Sequence, residues 1–124
     1  MKSNIKYFKK FEELPVDEFY QNVLYDKKFG YYNSRYPFGE KGDFITAPHI
    51  SNLFSEIIAI WMVSTWQTFG KPKKLNIIEL GPGDGSLIKI LIEVFRRFPD
   101  FDKAKKIYLL EVSDTLKKIQ KKNI

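Results

Sequence analysis

The stretch from Leu75 to Val112 allows few folds. An apolar run, LNIIEL (Leu75–Leu80), meets GPGDGS (Gly81–Ser86). LIKILIEVFRRF (Leu87–Phe98) follows, and then a second apolar run, KIYLLEV (Lys106–Val112). The two short Ile/Leu-rich runs read as strands. The segment between them has helical period and stops before Pro99. Strands joined through a helix cannot make a hairpin; the crossover sets them parallel. SDTLKKIQKK (Ser113–Lys122) starts another helix, with Ser113 or Asp114 as its cap and Leu116 and Ile119 on its apolar face. The expected class is therefore α/β. Two parallel strands leave sheet edges unpaired and faces half covered, so the arrangement reads as the front part of a larger domain.

The first half prefaces this unit. Val16 to Asp26 has the period of a short helix, with Pro15 at its start and Phe19, Val23 and Leu24 on one side. FGYYNSRYPFGEKGD (Phe29–Asp43) reads as an ordered loop held by its aromatic residues. Pro48 to Phe69 reads as one long helix stopped by Gly70 and Pro72. Its expected core stripe is Leu53, Ile57, Ile60, Trp61 and Ser64, widened by Phe54, Ile58 and Trp66. Residues 1–74 are thus expected to form a helical, loop-rich N-terminal segment, and 75–124 the start of a ligand-binding α/β domain.

Composition excludes several chemistries. There is no cysteine, hence no disulfide or thiolate metal site, and one histidine, His49, leaves no multi-histidine centre. The net charge is +6, but 18 of the 21 basic residues are Lys. With 14 Ile and only 3 Ala, that skew points to an A+T-rich bacterial genome. A phosphate-reading surface uses the planar fork of Arg, so no nucleic-acid partner is expected. Ile50 to Phe69 contains Asn52, Ser55, Glu56, Ser64 and Gln67, so no membrane insertion is expected either. No targeting signal is evident in Met1 to Lys10, and a cytoplasmic location follows.

The glycine turn carries the chemistry. A strand end, closely spaced glycines and a helix N-terminus let a ligand approach the backbone. A dinucleotide fold wants a third glycine at Ser86, and a phosphate loop wants Lys near the turn's end; neither is present. An acidic strand end followed by Gly81, Gly83 and Gly85 suits S-adenosyl-L-methionine instead. Glu79 can face the cationic methionine end. Glu111, ending the next strand, is placed to accept both ribose hydroxyls, as the acid after the second strand does in dinucleotide folds. The competing reading is a tight turn with solvent-exposed acids.

Four segments, in order, resemble the MidA family of class I S-adenosylmethionine-dependent methyltransferases. LYDKKFGYY (Leu24–Tyr32) is similar to its ALY-x-P-x-x-GYY stretch. GDFITAPHISNLFSEIIAIW (Gly42–Trp61) is similar to GDFITSPEIS-x-x-FGE. IELGPGDGSL (Ile78–Leu87) is similar to VELGPGRGTL, and YLLEVSDTLKKIQ (Tyr108–Gln120) to EVSP-x-L-x-x-Q. The resemblance implies the N-terminal portion of a Rossmann-like methyltransferase, truncated after the first βαβ unit. It implies cofactor contacts from Glu79, Gly81, Gly83, Gly85 and Glu111, with Gly42, Asp43, Thr46 and Ser51 closing the site from the N-terminal side. Members of the family dimethylate an arginine during assembly of respiratory complex I, so a complex I subunit is the implied protein substrate. His49 stands where the family has Glu, and Asp84 where it has Arg. His49 is expected to be a surface or helix-start residue. No catalytic residue and no metal ligand is assigned. Alternatives from other classes remain: a non-catalytic remnant, one half of a split enzyme needing a second chain, a small protein-binding adaptor, or an RNA-binding module.

Overall fold

The computed structural model describes residues 13–34 and 43–124. Helix α1 (Val16–Tyr25) follows Pro15 and ends at Asp26. The Asp26 carboxylate turns the chain by accepting from the amides of Lys28 and Phe29 at 2.9 and 2.8 Å. A single turn, α2 (Tyr31–Ser34), then packs back on α1. Tyr32 stacks on Tyr25 with ring centroids 5.6 Å apart, and Tyr31 meets Phe44 edge-on at 6.0 Å. These contacts match the expected aromatic holding of the loop; residues 35–42 of that loop lie outside the described residues.

The expected single helix over Pro48–Phe69 is two helices, α3 (Ala47–Ile50) and α4 (Asn52–Thr68). Ser51 separates them with extended backbone (φ −155°, ψ 131°), and its hydroxyl accepts from the Leu53 amide at 3.2 Å. A serine free to cap competes with helix continuation, and here the cap wins. The core stripe of α4 also differs from expectation. Leu53, Ile57, Ile60 and Trp61 are 60, 58, 49 and 61% exposed, whereas Ser55, Ala59 and Val63 are buried; Trp66 is buried as expected. The helix is apolar nearly all round, so period alone does not choose its inward face. The line of small residues wins because it lets α4 lie close against the next helix.

Strands β1 (Leu75–Leu80) and β2 (Lys105–Leu110) pair in parallel, with Leu75 opposite Lys105 and Leu80 opposite Leu110. Between them run α5 (Ser86–Phe95) and α6 (Pro99–Ala104), the latter opening on Pro99 as a proline suits a first helical turn. Helix α7 (Asp114–Asn123) follows β2, capped by Ser113. The core lies on one face of the sheet, where Leu75, Ile77, Ile107 and Leu109 pack against α4 and α5. Phe95 and Phe101 are fully buried 4.7 Å apart, and Trp66 meets Phe101 edge-on at 5.4 Å. Each such side chain contributes about 1.5–3 kcal/mol on burial. The opposite face carries Ile78, Leu80, Tyr108 and Leu110, all exposed, as half-covered parallel strands predict.

Candidate functional site

The carboxyl ends of β1 and β2 meet at the glycine turn. The Gly81 amide donates to the Leu110 carbonyl at 2.9 Å, extending the ladder one step into the turn. Gly81, Gly83 and Gly85 all take left-handed backbone, with φ of 64°, 58° and 85°. Their alternate spacing is thus a backbone requirement, because L side chains resist that region. At Gly85 space is short as well: a Cβ there would lie 2.9 Å from Cδ1 of Ile124.

Two concavities flank the turn and share Gly81 and Gly83 as their common wall. The first, about 260 Å³, is lined by Glu79 together with Thr46, His49 and Phe54 of the preface. The second, about 210 Å³, is lined by Glu111 with Tyr25, Tyr32 and Leu116. Glu79 and Asp84 therefore stand on one side of the glycines and Glu111 on the other. A larger hollow of about 490 Å³ beside β2 and α7 also reaches Glu111, but it is mainly apolar.

The two strand-end acids are held differently. Oε2 of Glu79 is buried and has no hydrogen-bond partner among the described residues. Desolvation raises its pKa above the ordinary carboxylate value. Such an orphaned acceptor calls for a cation or donor from outside. Glu111 is instead fixed in place. Its Oε1 accepts from the amides of Val112 and Ser113 at 2.8 Å each, and its Oε2 accepts from Nε2 of Gln120 at 3.3 Å.

The preface reaches the turn through His49. Its Nε2 lies 2.9 Å from Oδ2 of Asp84 and 3.2 Å from Oγ of Ser86, and its Nδ1 lies 2.7 Å from Oγ1 of Thr46. A carboxylate only accepts, so Nε2 bears the proton; in the neutral ring Nδ1 then accepts from Thr46. Ser86 gives its hydroxyl proton to Oδ1 of Asp84 at 2.6 Å. Ser86 and Asp84 thus sit on the same ring nitrogen, whereas a serine triad needs them on opposite nitrogens. The cluster is a structural bridge, not a nucleophile and base.

Of the residues expected at the site, Glu79, Gly81, Gly83, Glu111 and Thr46 line the two concavities. Gly85 supports the turn from behind. Asp43 accepts from the Tyr31 hydroxyl at 2.6 Å and is exposed, and Ser51 caps α4. Neither lines a concavity beside the turn. Gly42 lies outside the described residues. Sequence reasoning missed the bridging role of His49. It also missed the support from α7, where Gln120 donates to the Gly83 carbonyl at 2.7 Å and Asn123 to the Asp84 carbonyl at 2.8 Å. The position of Gln120 in the EVS…Q segment was the one available signal. Among the described residues no group of metal-ligating side chains forms, and no helix is long and apolar enough to cross a membrane.

A parallel βαβ unit with glycines at the first strand end and an acid at each strand end defines a nucleoside-cofactor-binding α/β protein. Comparison with known proteins gives the class. Residues 57–124 match the model of a family described as S-adenosyl-L-methionine-dependent methyltransferases, and the chain belongs to that family. It is 41% identical over 107 residues to the Drosophila melanogaster protein arginine methyltransferase NDUFAF7 homolog, mitochondrial. It is also 41% identical over 109 residues to the Homo sapiens protein arginine methyltransferase NDUFAF7, mitochondrial. Each match takes in 86% of this chain, but only 24 and 25% of those proteins. The chain thus spans about a quarter of the length of these relatives. Its fold is similar to the crystal structure of a COG1565 superfamily member from Burkholderia thailandensis bound to S-adenosyl-homocysteine, with a TM-score of 0.74 at 22% identity. That likeness covers 98% of this chain and 32% of the other.

The family cofactor is S-adenosyl-L-methionine, and the residues present fit it. Glu79 has an unsatisfied oxygen that would suit a cationic group, and Glu111 is a fixed carboxylate that would suit hydroxyl donors such as those of a ribose. The glycines between them leave the backbone open to close approach.

Proposed function

We propose that this chain carries the cofactor cradle of a protein arginine methyltransferase, with residues 75–124 as its cofactor-binding portion and 1–74 as a preface that closes one side. The orphaned Oε2 of Glu79 carries this reading, because Glu79 lines the concavity beside the left-handed glycines, and no Lys or Arg is among the described residues lining it. Glu79 receives the ammonium end of the methionine moiety, directly or through water, and Thr46 adds a hydroxyl from the other wall. Glu111 receives the ribose hydroxyls. Gly81, Gly83 and Gly85 supply the close backbone surface between them. Asp43 and Ser51 contribute indirectly, Asp43 by anchoring Tyr31 and Ser51 by capping α4.

When bound, S-adenosyl-L-methionine supplies an electrophilic methyl group. This chain's residues bind and orient it, so the rate enhancement they offer is positional and electrostatic. The acceptor class is a protein arginine, extended from the names of the relatives; a respiratory complex I subunit is the acceptor implied by the resemblance to the MidA family. The groove for the acceptor is assigned to polypeptide beyond these residues, in accord with the greater length of the relatives.

Calorimetric titration of the purified chain with S-adenosyl-L-methionine tests the cradle, with circular dichroism on the same sample. Saturable binding that Glu111→Ala weakens is expected. A folded chain without binding, or binding that Glu111→Ala leaves intact, overturns it.

A second reading rests on the open sheet face. Ile78, Leu80 and Leu110 are 63, 71 and 63% exposed on adjacent strands. A patch of that kind is normally covered. In this reading the chain is one part of a split methyltransferase and binds the cofactor only with a complementing chain that brings the remaining strands. Binding that appears only on adding the downstream part of a relative favours it; full binding by the chain alone excludes it.

A further inference from the structure

His49 and Asp84, two of the positions where the chain departs from the motifs it resembles, stand 35 residues apart and touch at 2.9 Å. Where the resembled motifs carry Glu and then Arg, this chain carries a cationisable ring and then a carboxylate. The contact is also well embedded, with 19 and 10% side-chain exposure for His49 and Asp84. Its surroundings make it a bridge between two segments. Thr46 steadies the ring at Nδ1 from the preface side. Ser86 and its amide steady Oδ1 of Asp84 at 2.6 and 3.0 Å from the turn side. The walls of the 260 Å³ concavity come from these same two segments, Thr46–His49 and Phe54 on one side and Glu79–Leu87 on the other.

We infer that His49 and Asp84 form a latch that holds the preface against the glycine turn, and that His49 is a positioning residue for the cofactor pocket. The inference deepens the cofactor reading above and rests on it for its effect on binding. Losing the latch removes polar ties between the Thr46 wall and the turn. The pocket that holds Glu79 then opens to water, which lowers the local field and loosens the ligand's amino-acid end. A paired, half-buried contact is the kind whose loss is felt when only one partner is changed.

The test is a double-mutant cycle on the full chain, using His49→Glu, Asp84→Arg and the combined variant. Two readouts are taken: the affinity for S-adenosylhomocysteine by calorimetry, and hydrogen-exchange protection of the amides of His49 and Ile50, which donate to the Thr46 carbonyl. His49→Glu sets two carboxylates against each other, and Asp84→Arg removes the acceptor of the His49 N–H and sets a donor against it; each is expected to weaken binding about tenfold. The combined variant restores a complementary pair of opposite sense. It is expected to bind about tenfold more tightly than the two single losses predict together, and to recover amide protection. Additive losses, or single variants that bind and exchange like the wild type, overturn the latch. If the wild type itself fails to bind, the cradle reading fails while the exchange cycle still decides the latch: coupled recovery of protection supports it, and additive loss removes it.

Discussion

Nε2 of Gln120 donates to the carbonyl of Gly83 at 2.7 Å, joining residues 37 positions apart. The same Nε2 reaches Oε2 of Glu111 at 3.3 Å, so one buried amide fixes the glycine turn and the second-strand acid relative to each other. Replacing it by Leu keeps the bulk but leaves the Gly83 carbonyl unsatisfied, at a cost of about 1–3 kcal/mol. Gln120→Leu is therefore expected to lower the urea midpoint and weaken cofactor binding together. Binding that survives intact in the destabilised variant would show that the turn keeps its shape without this support.

Glu79 sets stability against function. Burial raises its pKa, so the folded chain holds this proton more tightly than the unfolded chain. Stability from this group is present at low pH and is lost as pH rises through the raised value. Glu79→Gln removes that penalty. It is expected to make the chain more stable at neutral pH, with the gain vanishing below the ordinary carboxylate range. Cofactor affinity should fall in the same variant, because the cation loses its carboxylate. Thermal melts across pH, with matched titrations, check both halves.

Gly85 answers to two constraints. Its φ of 85° resists any L side chain, and a Cβ would meet Ile124 at 2.9 Å. Gly85→Ala is expected to cost about 1–3 kcal/mol from backbone strain, plus the contact. Adding Ile124→Ala should recover the contact share only. Denaturant unfolding of the two variants separates them, and complete recovery would mean that the strain share is negligible.

The two serine caps differ in what else they hold. Ser51 is exposed and caps α4 alone, whereas Ser113 is fully buried, caps α7 and donates to the Tyr32 carbonyl at 2.8 Å. Ser51→Ala should cost about 0.5–1 kcal/mol as a plain surface cap. Ser113→Ala should cost about 2–3 kcal/mol, since the buried hydroxyl both caps α7 and bonds the part-buried Tyr32 carbonyl. Equal midpoints for the two variants would refute the tie between α7 and the preface.

Much of the cradle was readable without coordinates. The alternation of Gly81, Gly83 and Gly85 between two apolar runs can hardly mean anything but a strand, a turn and a helix, because local backbone sterics dictate it. Glu79 and Glu111 were legible for the same reason, each ending a strand and therefore lying at the same edge of a parallel pair. The inward face of α4 was not legible. Leu53, Ile57 and Trp61 make as good a stripe as Ser55, Ala59 and Val63, and only the approach of α5 chose between them. Ser51 is locally ambiguous too, since a serine can continue a helix or cap one.

Local chemistry, then, determined the elements, the parallel pairing and the two acids. Tertiary structure decided the partners: Gln120 on Gly83, His49 on Asp84, and an unpartnered oxygen on Glu79. Those contacts join residues far apart in the chain, and their energy depends on distance and burial, which no local pattern records.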